Sequence, residues 1–400
     1  MLKFILGDSS PVDVNSRKCI GAAILMGVVG PEVFIVQPGF VQGLVEYLGF
    51  DDKTAGYVAS AEMWGIAATA ILMTFIAHRV NWRQVFAWSL LGIFAANAAC
   101  TVIDDPQLFV GLRFIAGLGS GGLVSLSFAA IGLTDNPDRN FGYLIMWVLI
   151  YGAIALLLMP TAYGLAGMDG VLWFFALFPL VALPFVRRLP VSGEEHVQVE
   201  EDAVDLSPQL KAMALFAMMF YFMAQGVVWA YLFLIGLDGG LSEQEVANGL
   251  TISQFAGIGG ALLAALLAHS YGRSRPLAVG ILGGAACLYF LVGEFSFLVY
   301  TTAVVVYNFL WNLTHPFLLA AMASFDRTGR VVVYAVAMQM IGIAIGPGLA
   351  ATVISEGEYL NVNLFGAALF VISFLFILPP VLRQARLHHA LIAGRSGADA

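Results

Sequence analysis

Three ionisable residues stand inside otherwise apolar runs of this 400-residue chain: Glu32, Glu62 and Arg113. An ionisable group held in hydrocarbon costs from about 2.5 kcal/mol upward, so it normally faces a cavity or a partner and marks a functional position. Two carboxyls and one guanidinium suit one kind of chemistry. Desolvation favours the neutral carboxyl and a neighbouring arginine the charged one, so a carboxyl balanced between them can take up and release a proton. Glu32 follows Pro31, with Gln37 and Pro38 further on. Prolines interrupt a helix and free backbone carbonyls, adding polar backbone beside the carboxylate. Glu32 is the expected proton carrier, and Arg113 either its ion-pair partner or the anchor of an anionic solute. Glu62, nearer the outer surface, is a second proton-coupling candidate or a group at the outer mouth.

A second set of residues could bind a solute. Asn308, Trp311, Asn312 and His315 recur at i, i+3, i+4 and i+7, which is one helical face, and Pro316 follows at once. Tyr221, Gln225 and Trp229 step by four, as do Tyr143, Trp147 and Tyr151. Aromatic stripes also arise from packing and from the interfacial belt, and a lone His315 also reads as a hydrogen-bonded structural histidine. Gln225, within an apolar run, turns its stripe toward a cavity. Gln254 and Gln339 are weaker candidates. The expected solute-binding set is Gln37, Arg113, Trp147, Tyr151, Gln225, Trp229, Asn308, Trp311, Asn312 and His315.

Other motifs carry less. Gly117, Gly119 and Gly122 satisfy G-x-G-x-x-G, but that pattern cradles a dinucleotide only between a strand and a helix. Inside an apolar helix, small residues let neighbours approach closely. Ser120 has no base placed to activate it, and no Walker motif is present. Cys19, Cys100 and Cys287 have spacings of neither a disulfide framework nor a metal cluster. No cofactor, metal or enzymatic activity is expected.

The elements that must position these residues follow from hydropathy. The chain is 60% hydrophobic and 11% charged, against about 25% charged in soluble domains. A membrane span needs about 20 mostly apolar residues. Such runs fall near 18–44, 54–77, 84–103, 108–133, 141–166, 171–187, 209–237, 246–269, 276–293, 295–323, 331–354 and 360–382. The expected fold is an all-α membrane protein: twelve transmembrane helices in two pseudo-symmetric six-helix halves, 1–188 and 209–400, the second ending in a short cytoplasmic tail. The acidic stretch 189–208, with Glu194, Glu195, Glu200, Glu201, Asp202 and Asp205, reads as a solvated cytoplasmic linker. With alternating spans, every Lys and Arg except Lys53 and the intramembrane Arg113 falls on the side of the termini, which the positive-inside rule makes cytoplasmic. A net charge of −8 gives nucleic acid no footprint. A shift of 191 residues superposes Gly49 on Gly240, Ser60 on Thr251, Ala77 on Ala268 and His78 on His269. Internal repeats with a site at their interface are a transporter signature.

A six-plus-six bundle with an acidic central loop and basic turns after the second and eighth spans resembles the major facilitator superfamily, over essentially the whole chain. The family's loop signature Gly-x-x-x-Asp-Arg-x-Gly-Arg-Arg/Lys corresponds here to Thr74 through Arg83. Arg79 and Arg83 match, while His78 stands at the acid position and Asn81 at the second glycine. The second copy keeps Gly272 and Arg273, with His269 at the acid position. The resemblance implies gating roles for His78, Arg79, Arg83, His269 and Arg273; as a plainer alternative, the histidines sit beside lipid headgroups. Arg113, Gly117 and Gly119 in RFIAGLGSGG resemble the family's fourth-helix motif, whose arginine is associated with proton coupling. The fifth span lacks the drug-antiporter string Gly-x-x-x-Gly-Pro-x-x-Gly-Gly, and the first lacks the Asp-Gly-x-Asp of aromatic-acid symporters. In the family, helices 1, 4, 7 and 10 line the cavity, and Glu32, Arg113, Gln225 and the Asn308 stripe fall on those four.

The expected function is therefore alternating-access secondary transport in a cell's inner membrane, by a monomer whose partners are protons, a small solute and the bilayer. Proton-coupled uptake of a small organic or aromatic anion suits Arg113. Efflux of lipophilic cations suits Glu32 and Glu62 with aromatic walls. A non-transporting membrane protein on the same fold is the alternative from another class.

Overall fold

The computed structural model describes residues 12–103, 105–193, 203–267, 273–327, 330–354 and 358–396. Six of its helices start at short polar side chains. Ser16, Asp51, Asn81, Asp105, Ser207 and Ser296 each accept a hydrogen bond from the backbone N–H three residues on. The first N–H groups of a helix have no intrahelical partner, and these caps supply one. At Asp51 the Thr54 N–H bond, 2.8 Å long, holds the carboxyl below its ordinary range. Asp51→Ala is expected to cost about 1 kcal/mol, the usual value of a lost N-cap. That contribution is present above the carboxyl's unfolded pKa and fades as pH falls through its lower folded value, which thermal melts at stepped pH would register.

Among the described residues the helices make twelve crossings. α1 is in three pieces, α1a (Arg17–Val29), α1b (Glu32–Ile35) and α1c (Gln37–Glu46). Then come α2 (Asp52–Ile76), α3 (Trp82–Cys100), α4 (Pro106–Gly132) and a continuous run Pro137–Ala182. That run reverses at Gly167, whose φ of +62° suits glycine, and forms α5 (137–166) and α6 (168–182). Tyr151 and Phe178 stack at 5.7 Å, whereas 27 residues along a straight helix would separate them by about 40 Å. The second half holds α7 (Pro208–Asp238), α8 (Glu243–Leu267), α9 (Ser274–Tyr289), α10 (Phe297–Ala323), α11 (Arg330–Val353) and α12 (Leu360–Ser396). Eight uninterrupted stretches are long and apolar enough to span, one of them being the α5–α6 pair. The broken α1 and the shorter α3 and α9 complete the twelve.

Three elements differ from the sequence expectation. The first run is cut at Gly30–Pro31 and again before Pro38, because proline offers no N–H and crowds the preceding turn. The α5–α6 turn needs one residue instead of four. α12 continues past Pro379 and Pro380 to Ser396, since Leu, Arg, Gln and Ala after the prolines are good helix formers.

The internal repeat is visible in the contacts. Gly49 and Gly240, 191 apart, both take positive φ, +69° and +92°, at the turns before α2 and α8. Ser60 Oγ of α2 donates to Ala344 O of α11 at 2.7 Å, and Thr251 Oγ1 of α8 donates to Ala153 O of α5 at 3.2 Å. Both donors and both acceptors are 191 residues apart. Asp52 and Glu243, again 191 apart, each receive tyrosine hydroxyls from the opposite half. Tyr359 donates to Asp52 at 3.0 Å, and Tyr47 donates to Glu243 at 3.2 Å. These bonds join the halves on the face away from the central linker.

Candidate functional site

Arg113 is fully buried in α4, and its Nη2 lies 2.7 Å from Glu62 Oε1 of α2. Small residues bring the two helices together. Cβ atoms added at Gly65 and Gly121 would meet Leu118 N at 2.7 Å and Ile66 O at 2.5 Å, so both positions need glycine for backbone contact. Gly119 does the same toward the Ser89 backbone of α3, and a Cβ at Gly122 would meet the Ser89 hydroxyl at 2.5 Å. The glycines read from sequence as packing residues therefore seat α4 against two neighbours and set the ion pair's geometry.

Asn97 of α3 completes the guanidinium's surroundings. Its Nδ2 donates to Ile93 O at 3.0 Å and to Phe175 O at 3.2 Å, which leaves Oδ1 to accept from Arg113 Nη1. Phe40 of α1c lies under the guanidinium, 5.0 Å from carbon to ring centroid. Arg113 Nε has no hydrogen-bond partner. Neither Asn97 nor Phe40 is among the sequence candidates. Asn97 did leave a signal, being the one amide in the run FAANAAC.

Glu32 opens α1b and is buried, and neither of its carboxyl oxygens has a hydrogen-bond partner. It lies within electrostatic range of Arg113 and Glu62. From sequence, Arg113 is either the partner of Glu32 or a solute anchor, and Glu62 is a second proton-coupling candidate or a group at the outer mouth. In the fold Arg113 pairs with Glu62, which is buried, because the close α2–α4 packing puts those two side chains on facing surfaces. Gln37 and the unforeseen Gln42 are buried without partners, as is the Tyr151 hydroxyl. Pro38 cannot bond Phe34 O four residues back, and Trp229 Nε1 donates to that carbonyl at 3.0 Å; Tyr163 OH donates to Gly39 O at 2.9 Å.

The second half contributes neutral groups. Trp311 meets Trp229 edge to face at 5.7 Å. Tyr307 donates to Gln225, Asn308 Nδ2 donates to Ser253 at 3.2 Å, and Asn312 donates back to Asn308. His315 Nε2 lies 3.0 Å from Gln339 Oε1, with its ring against Phe222. Much of the α10 stripe thus bonds to α8 and α11, and Trp311 packs on Trp229 of α7, which itself bonds α1. Trp147 is half exposed at 51% and does not join the buried cluster.

Of the expected gating residues, Arg79 Nε donates to the His78 ring at 2.9 Å. Arg83 Nε donates to Leu189 O at 2.7 Å and ties α3 to the start of the central linker. Arg273 sits at the N-cap of α9, and His269 lies outside the described residues.

Twelve spans in two repeats, with unpaired polar groups buried at the middle of the first, define a two-fold helical transport protein. The family model of the major facilitator superfamily matches residues 22–347, and the chain belongs to that family. It is 28% identical to a gentisate transporter of Corynebacterium glutamicum over 43% of this chain and 39% of that protein. It is 20% identical to the uncharacterized MFS-type transporter YceJ of Bacillus subtilis, over 90% of this chain and 94% of that one. The crystal structure of a D-xylose–proton symporter shares the fold with a TM-score of 0.72, at 14% identity, over 90% of this chain and 96% of that one.

Proposed function

We propose that the protein is a proton-coupled symporter that takes up a small organic anion, an aromatic carboxylate in particular, across a cell's inner membrane with both termini in the cytoplasm. The carrying observation is the buried trio of Glu32, Glu62 and Arg113, in which one guanidinium pairs with Glu62, lies within electrostatic range of Glu32 and keeps Nε without a hydrogen-bond partner. A carboxylate binding there competes with Glu62 for Arg113, and a proton on Glu62 decides the competition. Trp229 and Trp311 offer a flat ring an apolar wall beside the break in α1. Resemblance to a gentisate transporter supports an aromatic acid, since gentisate is one. Gln37, Tyr151, Gln225, Asn308, Asn312 and His315 supply the neutral hydrogen-bonding surface, and Trp147 enters only if the halves rearrange. His78, Arg79, Arg83, His269 and Arg273 gate the cytoplasmic side, where Arg83 bonds the start of the linker.

Thermal stability in detergent against a panel of aromatic carboxylates and lipophilic cations tests the reading. A ligand at about 100 times its dissociation constant adds roughly 2.7 kcal/mol. Carboxylates are expected to stabilise the protein, more strongly at low pH, and to lose this effect in Arg113→Ala. Stabilisation by lipophilic cations that compete with protons would replace this reading with efflux.

A further inference from the structure

Resting on the reading just given, the charge balance of the site separates its two carboxyls. Arg113 already has a counter-ion in Glu62 at 2.7 Å. Glu32 has none: both its oxygens are buried and without a hydrogen-bond donor. An ionised carboxylate in that position would hold an uncompensated charge in a low-dielectric interior, the most expensive arrangement available. A neutral carboxylic acid there needs no counter-ion and keeps an O–H to offer.

We propose that Glu62 is the group whose proton exchanges during transport, and that Glu32 remains a neutral acid throughout and donates a hydrogen bond to the bound carboxylate. In the empty site Arg113 is balanced by ionised Glu62, and neutral Glu32 adds nothing. In the loaded site the substrate carboxylate balances Arg113. Glu62, displaced into an apolar surround, forms an O–H bond with a proton taken from the entry side. On release the substrate leaves Arg113, the Glu62 O–H bond breaks, its proton departs to the exit side, and the ion pair re-forms. The cluster is neutral in both states. One proton therefore accompanies one monovalent carboxylate, and the membrane potential does no work on the cycle.

The groups acting on Glu62 are Arg113 of α4, Cys100 of α3 and, across the site, Glu32. The α11 surface packed on this part of α2 presents Met340 and Ala344, neither of which titrates. Those acting on Glu32 are Arg113, Glu62 and Tyr151 of α5.

The experiment is uptake of labelled gentisate and benzoate into proteoliposomes of the full chain, with the pH gradient and the membrane potential set independently. The wild type is expected to accumulate the carboxylate one for one with the proton gradient and to ignore the potential. Glu62→Gln should exchange labelled for unlabelled carboxylate without accumulating it, and its binding should no longer weaken as pH rises. Glu32→Gln keeps a donor but not the geometry, so its apparent affinity should fall about threefold to tenfold while accumulation still follows the proton gradient. Accumulation lost in Glu32→Gln and kept in Glu62→Gln would overturn the assignment while leaving symport intact. So would uptake driven by the potential, which requires a second proton, or uptake that follows sodium, which would put a cation on Glu32. The potential dependence of the wild type decides the stoichiometry even if either variant fails to fold. A wild type that moves neither carboxylate nor binds any of the panel would overturn the function itself.

Discussion

Arg113→Ala should destabilise the protein by about 3–5 kcal/mol, because it strips a buried carboxylate of its counter-ion. The mutation also removes the donor to Asn97 Oδ1 and the cation over the Phe40 ring. Glu62→Gln in the same chain should return about 2 kcal/mol, since a neutral amide tolerates the apolar surround that an ionised carboxylate does not. This reversal separates electrostatics from packing. A double variant as unstable as Arg113→Ala alone, in thermal or chemical unfolding, would mean that the lost volume matters and the pairing does not. Ordinary mutational series in membrane helices show smaller effects, so the size of the drop is itself informative.

Gly117→Leu should be nearly as damaging while leaving every charge in place. A Cβ at Gly117 would stand 2.9 Å from the carbonyl carbon of Glu62 and 3.0 Å from Gly65 Cα. Both are backbone atoms, so α2 must move as a body. Overpacking of this sort costs about 1–3 kcal/mol, and here the displacement also draws Glu62 away from Arg113. The variant should therefore lose proton-driven accumulation beyond what its stability loss explains. Gly111→Ala is the control on the same helix, because a Cβ there meets nothing within 4 Å. Equal losses in the two variants would show that α4 tolerates no added bulk anywhere and would remove the α2 contact from the explanation.

These cases show how far the amino-acid sequence reaches. Span positions and the 191-residue repeat depend on periodicity and composition, which are local, and they were legible. The buried residues Glu32, Glu62 and Arg113 stood out because charge inside hydrocarbon is rare. Which carboxyl pairs with Arg113 was not legible, because that depends on how closely α2 and α4 approach. The approach comes from Gly65, Gly117 and Gly121 acting across a helix interface. Asn97 was missed for a related reason: its value lies in two backbone carbonyls, Ile93 O and Phe175 O, that fix its amide, and backbone acceptors leave no mark in a sequence. The α10 stripe was seen as one face, yet periodicity could not say whether that face met solute or neighbouring helices.

The paired hydroxyl bonds of Ser60 and Thr251 have a consequence for descent. Position 60 of the first repeat touches position 153 of the second, and position 60 of the second touches position 153 of the first, once the offset of 191 is removed. That reciprocity defines an isologous contact, the kind two identical subunits make across a two-fold axis. The seam between the halves thus has the geometry of a two-fold dimer interface inside one polypeptide. Joining two copies into one chain frees each to change alone. The seam is symmetric because both sides must fit each other, whereas the Glu62–Arg113 pair needs to exist only once.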